Sequence, residues 1–321
     1  MANLIRFFLD RRQGEDEDFA QVRQTVIQRI NETYDLVEDR DGMHIQSDSL
    51  EGLQIKCEDL NLHPDESLDG SPQPVFFKPW PLASFPRPHP TDEYTSKQVE
   101  IYKAKKYWDI DSPLLAYQIS QANYLSSIIG IFFEGLLRDV GRPQYKYPQC
   151  LETMASWIHK DFTYNIFADD FDPPLWTSVD WYPGEAWKST KNVPHIMFTL
   201  ILGYEPTEDL FQVEVLSILA AMITRLEGDE DLAHNTIPIM VISIMAGMKA
   251  RVLQAHYNYQ GLVIRKSQMI SFPTVDEALP NIDLFLRFMA SECVGDTKNP
   301  DILMKVSSRL FENSNMNGRT Y

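Results

Sequence analysis

The chain has 321 residues, 44% of them hydrophobic, enough for a sizeable core in one large domain or two small ones. Its 29 Lys and Arg stand against 46 Asp and Glu, a net charge of −17. Such a field repels phosphate backbones and anionic lipid surfaces, which argues against a nucleic-acid partner and against a membrane.

The N-terminal patch Leu4 to Leu9 is broken by Arg6, too short for a secretory signal. Apolar residues at Phe19, Val22, Val26, Ile27, Ile30, Tyr34 and Val37 predict an amphipathic helix over 18–37. Glu15 to Asp18 precede it, where negative charge suits the helix dipole. Residues 39–71 are polar and read as a loop or partly disordered segment. The window 72–90 holds seven prolines interleaved with Phe76, Phe77, Trp80 and Phe85. So many aromatics predict an extended strap lying on the core, with a ligand for a proline-recognising module as the alternative.

Residues 96–106 read as a helix. Asp111-Ser112-Pro113 opens another, which runs to Leu137 and stops before Gly141-Arg142-Pro143. Gln121, Asn123, Glu134 and Arg138 interrupt its apolar stretch, so it is no membrane span. A short helix is expected over 150–160, and residues 169–192 read as a long loop or a pair of edge strands. Pro194 to Leu202 is a short apolar run, read as a strand, that stops at Gly203. Thr207 caps a helix reaching Leu226, and Ile237 to Ala246 is a second apolar strand. Arg251–Tyr257 and Gly261–Lys266 make a hairpin across Asn258-Tyr259-Gln260, and a closing helix follows. The sum is an α+β protein: a mixed sheet with a packed central helix, a C-terminal hairpin and a helical N-terminal part. The expected divisions are a helical segment 1–38, an acidic and then Pro/aromatic strap or linker 39–94, a core 95–300 and a tail 301–321.

Cys57, Cys150 and Cys293 are far apart and form no CxxC, which suggests neither a zinc ribbon nor a disulfide framework and fits a reducing compartment. The phosphate-cradling glycine motifs and the G-x-S-x-G elbow do not occur, and no two histidines stand at i, i+4. No metal site and no cofactor is therefore expected from motifs. Asp169-Asp170-Phe171-Asp172 is dense in carboxylates, but Pro173-Pro174 stops a helix there and makes it a solvated turn. His159-Lys160-Asp161 sets a base beside a carboxylate, yet adjacent residues point apart.

Two groups remain as candidates. Asp180, Glu185 and Lys188, in Asp180-Trp181-Tyr182-Pro183-Gly184-Glu185-Ala186-Trp187-Lys188, could hold a divalent metal near a scissile phosphate. The plainer reading is a Pro-Gly hairpin packing Trp181 and Trp187 on the sheet. Arg251, Gln254, His256 and Arg265 of the hairpin could bind an anionic ligand or an acidic partner. Alternation puts Gln254 and His256 on one face and Arg251 on the other.

Pro194-His195-Ile196-Met197-Phe198, Phe211-Gln212-Val213-Glu214-Val215, Ala250-Arg251-Val252-Leu253-Gln254-Ala255 and Val294-Gly295-Asp296-Thr297-Lys298 resemble a family of uncharacterised intracellular proteins of filamentous fungi, over roughly residues 140–300. The resemblance implies a fungal, non-secreted protein of the cytoplasm or nucleus. The order of elements is also similar to the restriction-endonuclease-like (PD-(D/E)XK) fold, whose strand pair carries Asp and Glu-x-Lys before a helix and further strands. Here Leu200-Ile201-Leu202 stands where Glu-x-Lys is expected. Two functions follow as expectations: a non-catalytic interaction or accessory protein with an unknown protein partner, serving a specialised pathway, or a divergent metal-dependent phosphodiesterase using Mg²⁺.

Overall fold

Two apolar strands, buried at every position, lie side by side and parallel at the centre of a mixed sheet: β6 (Ile196–Leu202) and β8 (Ile239–Met245). Runs without polar alternation need cover on both faces, and both faces have it. The computed structural model describes residues 2–62, 76–88, 93, 97, 115–139, 147–162, 165–171, 180–272 and 275–298, with side chains described outside 2–18, 115–117 and 275–279. The expected helix over 96–106, the helix start at Asp111, its stop at Gly141 and the tail 301–321 lie outside the described residues.

In chain order the elements are α1 (Ala2–Glu38), β1 (His44–Ile45), β2 (Ile55–Leu60), β3 (Phe77–Lys78), α2 (Leu115–Gly130), α3 (Leu151–Met154), β4 (Trp157–Lys160), β5 (Trp181–Ser189) and β6. After them come β7 (Leu210–Phe211), α4 (Gln212–Glu227), β8, β9 (Lys249–Asn258), β10 (Gly261–Ser267), β11 (Ile270–Ser271), α5 (Val275–Met289) and β12 (Glu292–Cys293). The main sheet has the order β2-β10-β9-β8-β6-β5-β4, with β11 on β9. The α+β expectation holds. Among the described residues no helix is long and apolar enough to cross a membrane.

One face carries α4, and α1 lies over α4. Ile196, Phe198, Leu200 and Leu202 of β6 meet Val215, Ile218, Leu219 and Met222 of α4 there, together with Val22, Val26 and Ile30 of α1. This explains why α4 is buried nearly all round: one side faces the sheet and the other faces α1. Thr33 and Tyr257 share a hydrogen bond at 2.9 Å, and Arg29 donates to the Tyr259 carbonyl at 3.1 Å, tying α1 to the β9–β10 hairpin. The opposite face is covered by α2, α5 and the proline strap, with Met197, Ile201, Met240 and Ile242 beneath Phe77, Phe133, Phe285 and Phe288.

The first part of the proline segment, residues 76–80, lies against the sheet. Phe76, Phe77 and Trp80 are buried, and β3 pairs with β12. The Arg287 guanidinium Nε donates to the Trp80 carbonyl at 2.8 Å, and the Trp80 amide donates to the Arg287 carbonyl at 3.2 Å.

Four sequence expectations need correction. Residues 55–60, read as loop, form β2 and run parallel to β10 from Ile55 opposite Leu262 to Leu60 opposite Ser267. Only Ile55 and Leu60 are buried in it, so the strand exists through its long-range partner and its own pattern is too weak to see. Residues 150–160 give just one helical turn, Leu151–Met154, followed by strand β4. The central helix starts at Gln212 and not after Thr207. Leu210–Phe211 instead pairs with His44–Ile45, and the Glu214 carboxylate accepts from the Phe211 amide at 2.9 Å. Residues 181–189 form one continuous strand inside the sheet, between β4 and β6, rather than a Pro-Gly hairpin.

Candidate functional site

Two backbone irregularities face one another across the covered side of the sheet. At the end of α2, Gly130 and Gly135 bracket Ile131–Gly135, where the helix widens to a π-turn and the Leu136 amide reaches back to the Ile131 carbonyl at 3.1 Å. Such turns re-aim side chains and recur at functional sites. Opposite, the β5–β6 register breaks between Pro183 and Ala186. Pro183 has no N–H to give the ladder, and Gly184 supplies a position without a side chain, the conditions for a bulge. A Cβ on Gly184 would stand 2.4 Å from the Thr199 hydroxyl oxygen. That hydroxyl accepts from the Glu185 amide at 2.7 Å, replacing the lost ladder bond.

Between the two lies a cleft of about 560 Å³, within the range of small-molecule sites. Glu134 enters it from the π-turn, and Tyr182 and Glu185 from β5. Ser126 comes from α2, and Ile201 of β6 forms part of its floor. Glu134 Oε1 accepts the Trp187 indole N–H at 2.7 Å, and the Phe133 ring meets Trp187 edge-on at 5.4 Å. Glu185 Oε2 is 2.6 Å from His159 Nε2, and Glu152 Oε1 accepts from the His159 amide at 2.8 Å. Burial pushes the Glu134 carboxyl above the usual carboxylate range. Its bond to Trp187 opposes this, the charges of Glu152 and Glu185 add to it, and that of His159 opposes it. Burial likewise raises the Tyr182 phenol, against the pull of its hydrogen bond to Asn123.

Of the first candidate group, only Glu185 reaches this cleft. Lys188 lies one residue past Trp187 and so on the other face of the strand, where its ammonium pairs with Glu230. Asp180 stands at the far end of β5, its carbonyl accepting from the Gly203 amide at 2.7 Å. At ~3.3 Å per residue, Asp180 and Lys188 are roughly 25 Å apart along the strand. The candidate trio Asp180, Glu185 and Lys188 is therefore not brought together.

The second group also divides. Arg251 has no exposed surface and spends its donors on Glu214 and on the carbonyls of Thr207 and Asp209, each at 2.9 Å. It presents nothing to a ligand. Gln254 and His256 share the opposite face, as alternation requires, and Arg265 sits directly across from Gln254. Phe76 of the strap packs 5.0 Å from the His256 ring, so this face is covered by the chain itself. Asp169–Phe171 form a 3-10 turn in which Phe171 packs 5.2 Å from Tyr34.

Sequence reasoning missed Glu134, Ser126 and Tyr182 as a site. The available signal was a carboxylate inside an apolar helix end, in Gly130-Ile131-Phe132-Phe133-Glu134-Gly135, which reads as an interruption until the π-turn turns it inward. Of Leu200-Ile201-Leu202, which stand where Glu-x-Lys would be expected, only Ile201 faces the cleft, whereas Leu200 and Leu202 pack beneath α4. Among the described residues no three His, Cys, Asp or Glu side chains are grouped to hold a metal ion. Comparison of the chain with protein-family models, curated proteins and solved structures finds no match to any of them.

Proposed function

We propose that this chain is a non-catalytic interaction or accessory protein of a fungal cell, working in the cytoplasm or nucleus through the cleft on a divergent restriction-endonuclease-like frame. The order β5–β6, α4, then β8 and β9 supports that frame, because it is a strand pair followed by a helix and further strands. The observation that carries the reading is the chemistry of β6 where it passes the cleft. A nuclease of this kind needs a carboxylate and a lysine two residues apart; Leu200 and Leu202, which stand in that place, pack away from the cleft, and the β6 side chains on the cleft face are Thr199 and Ile201. The Thr199 hydroxyl is committed to the Glu185 amide, and Ile201 offers only hydrocarbon.

The donor set does not fit a divalent cation. Mg²⁺ takes near-octahedral oxygen ligands. Glu134 already accepts from Trp187, Glu185 is paired with His159, and β6 contributes no third carboxylate. The second reading, a divergent phosphodiesterase, is favoured by one fact: carboxylates from a helix and a strand converge on one cleft.

One experiment separates them. The full chain is incubated with Mg²⁺ or Mn²⁺ and bis-(p-nitrophenyl) phosphate, single- and double-stranded DNA, and RNA. The accessory reading expects no turnover and no metal-dependent rise in melting temperature. Cleavage that disappears in both Glu134→Gln and Glu185→Gln overturns it.

A further inference from the structure

We propose that the cleft binds a protonated alkylamine, which deepens the non-catalytic reading and rests on it. The walls supply acceptors: among the described residues that line the cleft are Glu134 and Glu185 and neither Lys nor Arg, and the one basic group nearby, His159, engages a single oxygen of Glu185. Each carboxylate uses one oxygen on another side chain, Glu134 Oε1 on buried Trp187 and half-exposed Glu185 Oε2 on His159, and keeps the other. Independently, Ser126 is only 5% exposed, lines the cleft, and its hydroxyl has no hydrogen-bond partner among the described residues. A hydroxyl that the chain leaves unpaired at the wall of a cleft takes its hydrogen-bond partner from whatever occupies that cleft.

An ammonium group carries three N–H donors and no acceptor. The open oxygens of Glu134 and Glu185 and the Ser126 hydroxyl are three acceptors of the matching kind. Ile131, Pro183 and Ile201 line the same cleft and give the methylene stem an apolar wall. A bound cation also relieves what burial imposes on Glu134, since a positive neighbour favours the ionised carboxylate. The net charge of −17 draws cations toward such a recess. Two sources present this chemistry, a free diamine and a lysine side chain of a protein.

Calorimetric titration of the full chain decides the matter. The probes are 1,5-diaminopentane, N-acetyl-lysine amide and, as the uncharged counterpart, 1,5-pentanediol. Saturable binding of an amine is expected, with the diol at least ~10-fold weaker. Tighter binding of the diamine assigns a free amine, and tighter binding of the lysine amide assigns a protein lysine. Glu134→Gln and Glu185→Gln keep an acceptor for Trp187 and His159 and should each weaken the amine by about tenfold at an unchanged melting temperature. Ser126→Ala, which needs no refolding of the charged groups, should weaken it by roughly 3-fold or more. No saturation by either amine up to about 10 mM, equal binding of the diol, or wild-type affinity in all three variants overturns the proposal. The phosphodiester assay run beside it keeps the two readings apart: turnover removes the non-catalytic reading, whereas silence in both experiments removes only the amine.

Discussion

Arg251 and Glu214 pair inside the molecule with no exposed surface on either side chain, Arg251 Nε lying 2.9 Å from Glu214 Oε1. The pair links β9 to the first turn of α4. Because the Glu214 carboxylate also accepts from the Phe211 amide and the guanidinium also caps the Thr207 and Asp209 carbonyls, one ion pair fixes where the helix begins. Such a pair is well satisfied, and its worth shows only when it is broken. Arg251→Met leaves a buried carboxylate without its cation and should cost about 3–5 kcal/mol in urea unfolding. Arg251→Met combined with Glu214→Gln should recover part of that loss. A single variant as stable as wild type would show that the pair contributes nothing.

Burial holds His195 and His256 down at about 4, below the ordinary histidine value. His195 Nε2 donates to the carbonyls of Phe76 and Val294, and its buried Nδ1 has no partner, so a second proton has no acceptor to bond. A depressed folded pKa means that the unfolded chain binds the proton first. Stability from these groups is therefore complete above about pH 6.5 and lost progressively as pH falls to about 4, on the order of 2–3 kcal/mol per histidine. His256→Gln should flatten the slope of unfolding free energy against pH between those limits. An unchanged slope would place the pH dependence elsewhere.

Phe77 lies buried at the β3–β12 pair, with its ring edge-on to His195 at 5.2 Å. Phe77→Ala should destabilise the protein by about 3–5 kcal/mol and expose Trp80 to acrylamide quenching. Wild-type stability with quenching unchanged would mean that the strap only rests on the sheet.

Gly184→Ala tests the bulge. A methyl group there meets Thr199 Oγ1 at 2.4 Å and Ile201 Cδ1 at 3.0 Å, and the Thr199 hydroxyl can move away only by giving up its bond to the Glu185 amide. The expected cost is about 1–3 kcal/mol. Because the bulge aims Glu185, the variant should also lose amine binding. Full stability with unaltered binding would remove the bulge from the site.

Leu219 has no exposed surface, between α4 and the sheet. Leu219→Asp buries a carboxylate without a partner and should prevent soluble expression. Normal yield and melting temperature would contradict the helix-on-sheet packing.

The sequence by itself determined the elements whose burial is local and continuous. His195 to Leu202 and Ile237 to Ala246 read as strands because they are short and almost wholly apolar, broken only by His195, Thr199 and Ser243, and 251–266 as a hairpin because its turn residues are explicit. The α1 helix is visible in the spacing of Val22, Val26 and Ile30, although the structure extends it to Ala2. The strap is legible in its aromatics, which would be costly to expose. Tertiary structure alone decided the rest. Strand β2 owes its existence to β10, roughly 200 residues away, and carries little pattern of its own. Residues 181–189 looked like a turn because Pro183 and Gly184 are turn residues, but two flanking strands hold them extended and convert the irregularity into a bulge. The cleft was hidden for the same reason. Glu134, Ser126 and Glu185 are far apart in sequence, and spacing reports neighbours on one element only. Which carboxylates share a recess, and that Lys188 faces away from it, depends on sheet face and on two backbone irregularities that no local period encodes.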